Sequence, residues 1–142
     1  METPYVAKLH RFSQLAPPLP VFSFRHPSPP PPHNERYTTL RFAGRASRPA
    51  GLCHGFAGYF EATLFGDVTL STHPATHTPN MFSWFPIFFP LEKPMTCPAG
   101  CDIEVSIWRC VATHKVWYEW AVTQPALTNV HNPMGRSYHV GL

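Results

Sequence analysis

The residues with the clearest chemical potential in this sequence lie between positions 81 and 90. Five of those ten side chains are aromatic and none is charged. An aromatic face attracts cations, and a guanidinium stacked on an indole gains about 0.5 to 2 kcal/mol, depending on its desolvation. Phe82, Ser83 and Trp84 follow the turn-forming run 78–80, so we expect them on a loop, where binding residues concentrate. The sequence therefore makes Trp84 a candidate for binding a flat or cationic group.

The same stretch has a second interpretation, as part of the hydrophobic core. Phe85, Ile87 and Phe89 stand at alternating positions, and alternate side chains of a strand point to one face of its sheet. Aromatic rings bury large apolar areas, so they commonly fill cores. From the residues alone, core packing and ligand binding both remain open for this stretch.

Acid–base chemistry has few candidates, because the sequence contains only eight Asp and Glu residues. Glu61 and Glu119 lie directly beside aromatic residues, where burial would raise the pKa of a carboxyl group. The alternative is that each lies on a less buried strand face or pairs with an arginine such as Arg109. No Gly-X-Ser-X-Gly elbow, P-loop or dinucleotide glycine pattern occurs. The residues therefore identify no catalytic or cofactor-binding side chain.

Two pairs of soft ligands raise the question of a metal site. His73 and His77 precede Cys97 and Cys101, and each pair is separated by three residues. Tetrahedral zinc takes such ligands, but cysteine knuckles usually have two intervening residues, and the histidine pair normally follows the cysteine pair. We therefore predict that these are turn residues and assign no metal ligands, with a small zinc-binding structural protein as the alternative.

The elements that must position these residues are short strands. Hydrophobic and β-branched side chains alternate in several runs, and no stretch shows a convincing helical period. A Gly-Asp dipeptide between two such runs is typical of a two-residue hairpin turn, and two glycines inside the longest run indicate a bulge or a close backbone approach. The predicted strands are residues 37–42, 53–65, 68–72, 103–107 and 116–123. The sequence therefore predicts an all-β, mostly antiparallel β-barrel or sandwich of low helix content.

We expect one domain over residues 1–142, with exposed loops at residues 27–36 and 44–51. The first of these is dominated by proline and has the composition of a polyproline II loop. The second is polar and bounded by glycines. Two apolar runs, at residues 5–9 and 21–24, are separated by prolines that favour extended backbone.

Composition and charge exclude several classes of function. Hydrophobic residues make up 44% of the chain and charged residues 13%, which suggests a surface covered by another domain. The net charge of +3 comes without a cluster of Lys and Arg, so we expect no nucleic acid partner. No apolar stretch has the length of a membrane helix or of a signal-peptide core. We therefore expect no membrane partner and an intracellular, soluble chain whose four cysteines are reduced.

Five longer strings of the sequence stand out: His54–Glu61, Met81–Pro86, Trp108–Cys110, Lys115–Thr123 and His131–Tyr138. These strings strongly resemble the C-terminal part of the symmetric, type II protein arginine N-methyltransferase 5 (Skb1-like) family. This resemblance implies a β-barrel and oligomerisation domain that follows an S-adenosylmethionine-binding Rossmann domain, which this chain lacks.

The resemblance also implies where the chemistry of the complete enzyme lies. The methyl donor S-adenosylmethionine and the two glutamates that grip the substrate guanidinium belong to the Rossmann domain, so this chain alone should be inactive and bind no cofactor. The barrel supplies a loop that closes over the substrate arginine, and its residues correspond to Phe82, Ser83 and Trp84. Trp84 would stack on the arginine side chain, and the small Ser83 would leave room that a histidine occupies in asymmetric enzymes.

The implied partners are the Rossmann domain of the full-length enzyme, Gly/Arg-rich protein substrates, and further copies in a homo-oligomer. The resemblance also implies roles in histone methylation and transcription regulation, and a location in the cytoplasm and nucleus. The alternative function is a non-catalytic module that binds arginine-containing peptides in an aromatic groove.

Overall fold

The computed structural model describes residues 2–27, 34–45 and 49–142, and its regular structure is almost entirely β-strand. One short 3-10 helix, Pro133–Gly135, precedes the last described strand. The strands are β1 (Tyr5–Val6), β2 (Arg36–Phe42), β3 (Gly51–Gly58), β4 (Glu61–Phe65), β5 (Val68–Ser71), β6 (Ile87–Cys97), β7 (Ile103–Ala112), β8 (Lys115–Gln124) and β9 (Val140–Gly141). The predicted all-β class and low helix content are confirmed.

The strands form three antiparallel sheets. One has the order β1-β6-β3, a second has the order β2-β7-β8-β9, and β4 pairs only with β5. Within the described residues, these pairings do not close into one continuous hydrogen-bonded ring. No helix in the described ranges is long and apolar enough to span a lipid bilayer.

The core lies between the two larger sheets. Phe89 of β6 meets Tyr118 and Trp120 of β8 edge to face, with ring centroids 5.7 and 5.3 Å apart. Trp120 also donates its indole hydrogen to the carbonyl oxygen of Pro90 at 3.1 Å, so this buried polar group is satisfied. The inward side chains alternate along β7, as expected for a strand with one covered face. The buried cluster comprises Leu40, Cys53, Phe89, Leu91, Met95, Cys97, Ile103, Val105, Ile107, Trp120 and Val122.

The predicted single strand over residues 53–65 was wrong, because the chain leaves one sheet and enters another within it. β3 ends at Gly58 and β4 begins at Glu61. Between them, the Phe60 amide donates to the hydroxyl of Thr72 at 2.9 Å, and the Thr72 amide donates back to the Phe60 carbonyl at 2.9 Å. These bonds tie the break to the segment that follows β5.

The glycine bulge and both predicted hairpins are confirmed. The register of β3 against β6 shifts between Cys53 and Gly55. Phe65 pairs with Val68 across the two-residue Gly66-Asp67 turn, and Gly66 has the left-handed φ of 58° that such a turn requires. Strands β7 and β8 extend further than predicted and leave only Thr113 and His114 between them.

The N-terminal segment and the two predicted loops are only partly regular. The apolar run at residues 5–9 contributes β1, whereas the run at residues 21–24 forms no strand and instead packs Phe22 against the core. Strand β2 begins at Arg36 and β3 at Gly51, at the ends of the predicted loops. Much of those loops, residues 28–33 and 46–48, lies outside the described residues.

Candidate functional site

The aromatic stretch is divided between surface and core. Phe82 is 81% exposed and Trp84 55% exposed, whereas Phe89, five residues beyond Trp84, is buried in the core. Trp84 packs edge to face against Phe60, with ring centroids 5.3 Å apart and an interplanar angle of 66°. Phe60 therefore supports the indole from one side, and much of the Trp84 surface remains open to solvent.

We call residues 78–86 the aromatic loop, and hydroxyl groups hold its start against the end of β5. The Ser71 amide donates to the Thr78 hydroxyl at 2.9 Å, and the Thr78 amide donates to the Ser71 carbonyl at 3.0 Å. The Ser71 and Thr76 hydroxyls lie 2.8 Å apart, and Thr76 donates to Glu61 at 2.9 Å. Asn80 then takes a left-handed φ of 61°, which turns the chain toward Phe82.

The end of the aromatic loop is held by the N-terminal segment. The Ala7 amide donates to the Pro86 carbonyl at 3.0 Å, directly before β6 pairs with β1. The Lys8 ammonium nitrogen lies 4.8 Å from the centroid of the Phe85 ring, within the range of a cation–π contact. Both ends of the loop are therefore fixed, and its exposed aromatic residues lie between them.

The loop itself carries no charged side chain. In the described ranges, the carboxylates that form hydrogen bonds have their partners outside the aromatic loop. These carboxylates belong to Glu2, Glu61, Asp102, Glu104 and Glu119. Near the start of the loop, burial raises the pKa of Tyr59, whose ring meets His73 edgewise at 5.1 Å. The loop can thus present an aromatic face to a cation, but a carboxylate that fixes the orientation of that cation must come from elsewhere.

Glu119 does not pair with Arg109, which was one of the alternatives that the sequence left open for this carboxylate. One carboxylate oxygen of Glu119 accepts hydrogen bonds from the Trp117 indole and the Met134 amide, both at 2.7 Å. The Arg109 guanidinium instead donates to the Asn34 carbonyl and lies 5.5 Å from the Phe24 ring centroid. Glu119 therefore attaches the C-terminal segment, residues 125–142, to β8.

The four residues of the zinc alternative do not form a metal site in the described part of the chain. Within it, no group of three or more His, Cys, Asp or Glu side chains lies close enough together to hold a metal ion. Cys97 is buried in the core, and the ring nitrogen Nδ1 of His73 accepts a hydrogen bond from the Ala75 amide at 3.2 Å. This local bond is typical of a turn, as predicted for His73. The same prediction was wrong for Cys97, which is the last residue of β6.

Sequence reasoning missed the residues that support the aromatic loop. Phe60 lies in a string that resembles the methyltransferase family, but nothing local shows that it contacts Trp84. Lys8 is 77 positions before Phe85 in the sequence, and no short-range pattern connects the two. Only the pairing of β1 with β6 brings them together.

Comparison with known proteins agrees with the resemblance in the sequence. The family model of the PRMT5 oligomerisation domain matches residues 1–140. The chain is 57% identical over 142 residues to protein arginine N-methyltransferase 5 of Oryza sativa subsp. indica, with 99% of the chain and 22% of the relative covered. It is 49% identical to the Xenopus laevis protein of the same name, with the same coverage.

A more distant relative extends the comparison to fission yeast. Protein arginine N-methyltransferase skb1 of Schizosaccharomyces pombe is 40% identical over 138 residues, which cover 83% of this chain and 22% of the relative. The chain thus spans about a fifth of the length of these curated relatives.

Proposed function

The chain belongs to the protein arginine N-methyltransferase 5 family, as its oligomerisation domain, and we propose that it supplies the aromatic wall of a substrate-arginine pocket. The observation that carries this proposal is the Trp84 indole, 55% exposed on a loop that is held at both ends. We further propose that the remaining wall, with its carboxylates, comes from a Rossmann domain in a complete methyltransferase.

The chemistry of arginine methylation explains why such a wall is useful. A guanidinium nitrogen must approach a methyl group in line, so the main demand on the protein is to hold a planar cation at a fixed distance and angle. An indole fixes the plane and attracts the positive charge. Trp84 serves this purpose without taking part in proton transfer, and Phe60 limits its motion by packing against it.

The neighbours of Trp84 have distinct roles in this proposal. Ser83 is exposed and small, so it leaves space beside the indole for a guanidinium that already carries one methyl group. Phe82, which is 81% exposed, covers the rim of the pocket. These residues bind substrate, and we assign no catalytic residue to this chain.

The methyl donor does not fit the described residues of this chain. An adenosine and its ribose hydroxyls are usually held by a glycine-rich turn and a carboxylate. The sequence has no such glycine pattern, and the aromatic loop has no carboxylate. We therefore place S-adenosylmethionine on the Rossmann domain of the complete protein.

The proposed partners are that Rossmann domain, Gly/Arg-rich proteins as substrates, and further copies of the complete protein in a homo-oligomer. Apolar exposure on the β4–β5 hairpin supports a covered surface, because Leu64, Phe65 and Val68 are 60%, 86% and 54% exposed. An isolated two-stranded hairpin is also only marginally stable in water. Association in the complete protein would cover this hairpin.

Substitution of Trp84 tests the substrate-binding role. In the complete methyltransferase, Trp84→Ala should lower kcat/KM for a Gly/Arg-rich peptide by about 30-fold or more, as expected from loss of a desolvated cation–π contact of about 2 kcal/mol. The matched control is Phe12→Ala, which removes an exposed aromatic ring outside both the aromatic loop and the β4–β5 hairpin. Normal turnover by Trp84→Ala, with an unchanged melting temperature, would contradict the proposal.

Calorimetric titration of the present chain with a Gly/Arg-rich peptide distinguishes the proposed half-pocket from the alternative, a module that binds such peptides by itself. The exposed indole is the observation that favours the alternative, because it is available without a second domain. We expect no measurable affinity for a Gly/Arg-rich peptide, since the chain supplies only half of the pocket. Micromolar binding that Trp84→Ala abolishes would favour the stand-alone module.

A further inference from the structure

Lys8 is a charged residue that contacts Phe85, the residue directly after Trp84 in the aromatic loop. Its ammonium nitrogen lies 4.8 Å from the centroid of the Phe85 ring. Lys8 is exposed and Phe85 is half-buried, so this contact lies at the boundary between the loop and the packed start of β6. A cation over a phenyl ring in this setting restricts the ring and the backbone that carries it.

Lys8 is the last residue of a segment, residues 2–8, that we call the N-terminal arm. This arm is bonded both to β6 and to the C-terminal segment. Its middle pairs with β6, through Tyr5 with Phe88 and Val6 with Ile87. The Tyr5 and Phe88 rings also contact each other at 5.6 Å between centroids. Lys8 therefore approaches Phe85 from a fixed backbone.

The beginning of the arm is fixed to the C-terminal segment. One oxygen of Glu2 accepts a hydrogen bond from Arg136 Nε at 2.7 Å and lies 2.6 Å from Arg136 Nη2. The Ser137 hydroxyl donates to the same oxygen at 3.2 Å. The arm thus connects the C-terminal segment to the end of the aromatic loop.

We propose that Lys8 is a positioning residue for Trp84, an inference that rests on the proposed function of this loop. Ser71 fixes the start of the loop through Thr78, and Lys8 together with the Ala7–Pro86 hydrogen bond fixes its end. Between these points, the Met81 amide donates to the Thr78 carbonyl at 3.4 Å, which is a long and weak bond. For that reason, the orientation of the indole depends on the two ends of the loop as well as on its contact with Phe60.

Lys8 also determines which ring is available to a substrate cation. Phe85 already carries the Lys8 ammonium, and a second cation on the same ring would be repelled by the first. Trp84, directly before it, keeps an open face. An incoming guanidinium is thus directed to the indole.

Three substitutions in the complete methyltransferase test the proposal. Lys8→Met keeps the length and apolar stem of the side chain but removes its charge, whereas Lys8→Arg keeps a cation over Phe85. Lys93→Met is the matched control, because Lys93 is an exposed lysine on β6 that makes no cation–π contact among the described residues. Steady-state kinetics with a Gly/Arg-rich peptide and acrylamide quenching of Trp84 fluorescence are the readouts.

We expect Lys8→Met to raise KM about 2- to 5-fold with kcat within twofold of the parent, the size of an exposed cation–π contact. The variant Trp84→Phe identifies the part of the fluorescence that comes from Trp84. In Lys8→Met, acrylamide should quench this part more strongly than in the parent. Lys8→Arg should keep both properties at the values of the parent, and Lys93→Met should change neither.

An unchanged KM and unchanged quenching in Lys8→Met would overturn the positioning role. If Trp84→Ala is inactive in the same series, the proposed function survives that result and only the role of Lys8 fails. If Trp84→Ala is fully active, the proposed function itself fails. Lys8→Gln, a second neutral variant, replaces Lys8→Met if the latter melts at a lower temperature than the parent.

Discussion

At the scale of single residues, Trp84 and Phe85 show how neighbouring aromatic side chains acquire different roles. Trp84 meets Phe60 through a ring edge and is 55% exposed. Phe85 is half-buried and lies under Lys8. The difference arises because Pro86 is already bonded to the N-terminal arm, so the chain is packed on one side of Phe85 and open on the other.

The pH dependence of stability should reveal the ion pair that holds the N-terminal arm. Burial would raise the pKa of the Glu2 carboxyl, but hydrogen bonds from Arg136 and the Asn132 backbone, together with the charge of Arg136, outweigh it and lower the pKa below 4.5. A lowered pKa in the folded state stabilises the fold above the unfolded-state pKa, and this stability is lost as the pH falls through the folded-state pKa. Glu2→Gln should therefore melt at a lower temperature than the parent at pH 7, and this difference should shrink as the pH falls through the lowered pKa of Glu2.

Glu61→Gln is the matched control for that experiment. The Glu61 carboxylate accepts a hydrogen bond from the neutral Thr76 hydroxyl and has no cationic partner in the described ranges. The difference in melting temperature between Glu61→Gln and the parent at pH 7 should be smaller than the difference between Glu2→Gln and the parent. Equal melting temperatures of Glu2→Gln and the parent at pH 7 would show that the Arg136 contact does not hold the arm.

At the scale of elements, the approach of β3 to β6 depends on the absence of a side chain at Gly55. Its φ is 156°, and a Cβ atom there would lie 2.3 Å from the Phe89 carbonyl oxygen. The obstacle is backbone, which cannot rotate away. Gly55→Ala should therefore destabilise the fold by about 2 kcal/mol or more, measured as a lower urea midpoint.

Gly141→Ala controls for a generic glycine effect. Gly141 lies in β9, and a Cβ atom there would meet nothing within 4 Å. We expect its urea midpoint to remain close to that of the parent. A midpoint for Gly55→Ala equal to that of Gly141→Ala would mean that β3 and β6 can separate without cost.

The C-terminal segment is a second element whose position depends on a few bonds. Asn132 is fully buried with a left-handed φ of 52°. Its amide donates to the carbonyls of Tyr118 and Tyr138 at 2.9 and 2.8 Å, and its oxygen accepts from the amides of Ser137 and Tyr138 at 2.9 and 3.0 Å. All four bonding positions are used. This residue fixes the segment that carries Arg136, and through Glu2 the N-terminal arm.

At the scale of the whole molecule, methyl-donor binding should distinguish this domain from a complete methyltransferase. A ligand that binds only the folded state raises its stability by RT ln(1 + [L]/Kd), about 2.7 kcal/mol at 100 times Kd. S-adenosylmethionine should therefore raise the melting temperature of the complete protein and leave that of the present chain unchanged. Micromolar binding of S-adenosylmethionine by this chain in calorimetry would contradict the division of the site between two domains.

Much of the fold could be predicted from the sequence because its signals are local. Alternating side chains indicated β7 and β8, Gly66-Asp67 indicated the β4–β5 turn, and Thr78-Pro79-Asn80 placed Trp84 on a loop. These features depend on neighbours within a few residues, where steric limits and side-chain periodicity act directly.

The sequence by itself determined the strand-rich class and the position of Trp84 on a loop, whereas the tertiary structure decided that the indole is exposed and what supports that loop. The break between β3 and β4 depends on Thr72. The orientation of Trp84 depends on its contact with Phe60, and the position of the end of the loop depends on Lys8. These partners are 12, 24 and 77 positions apart in the sequence. Such contacts form only when packing of the sheets brings distant segments together, and no local pattern specifies them.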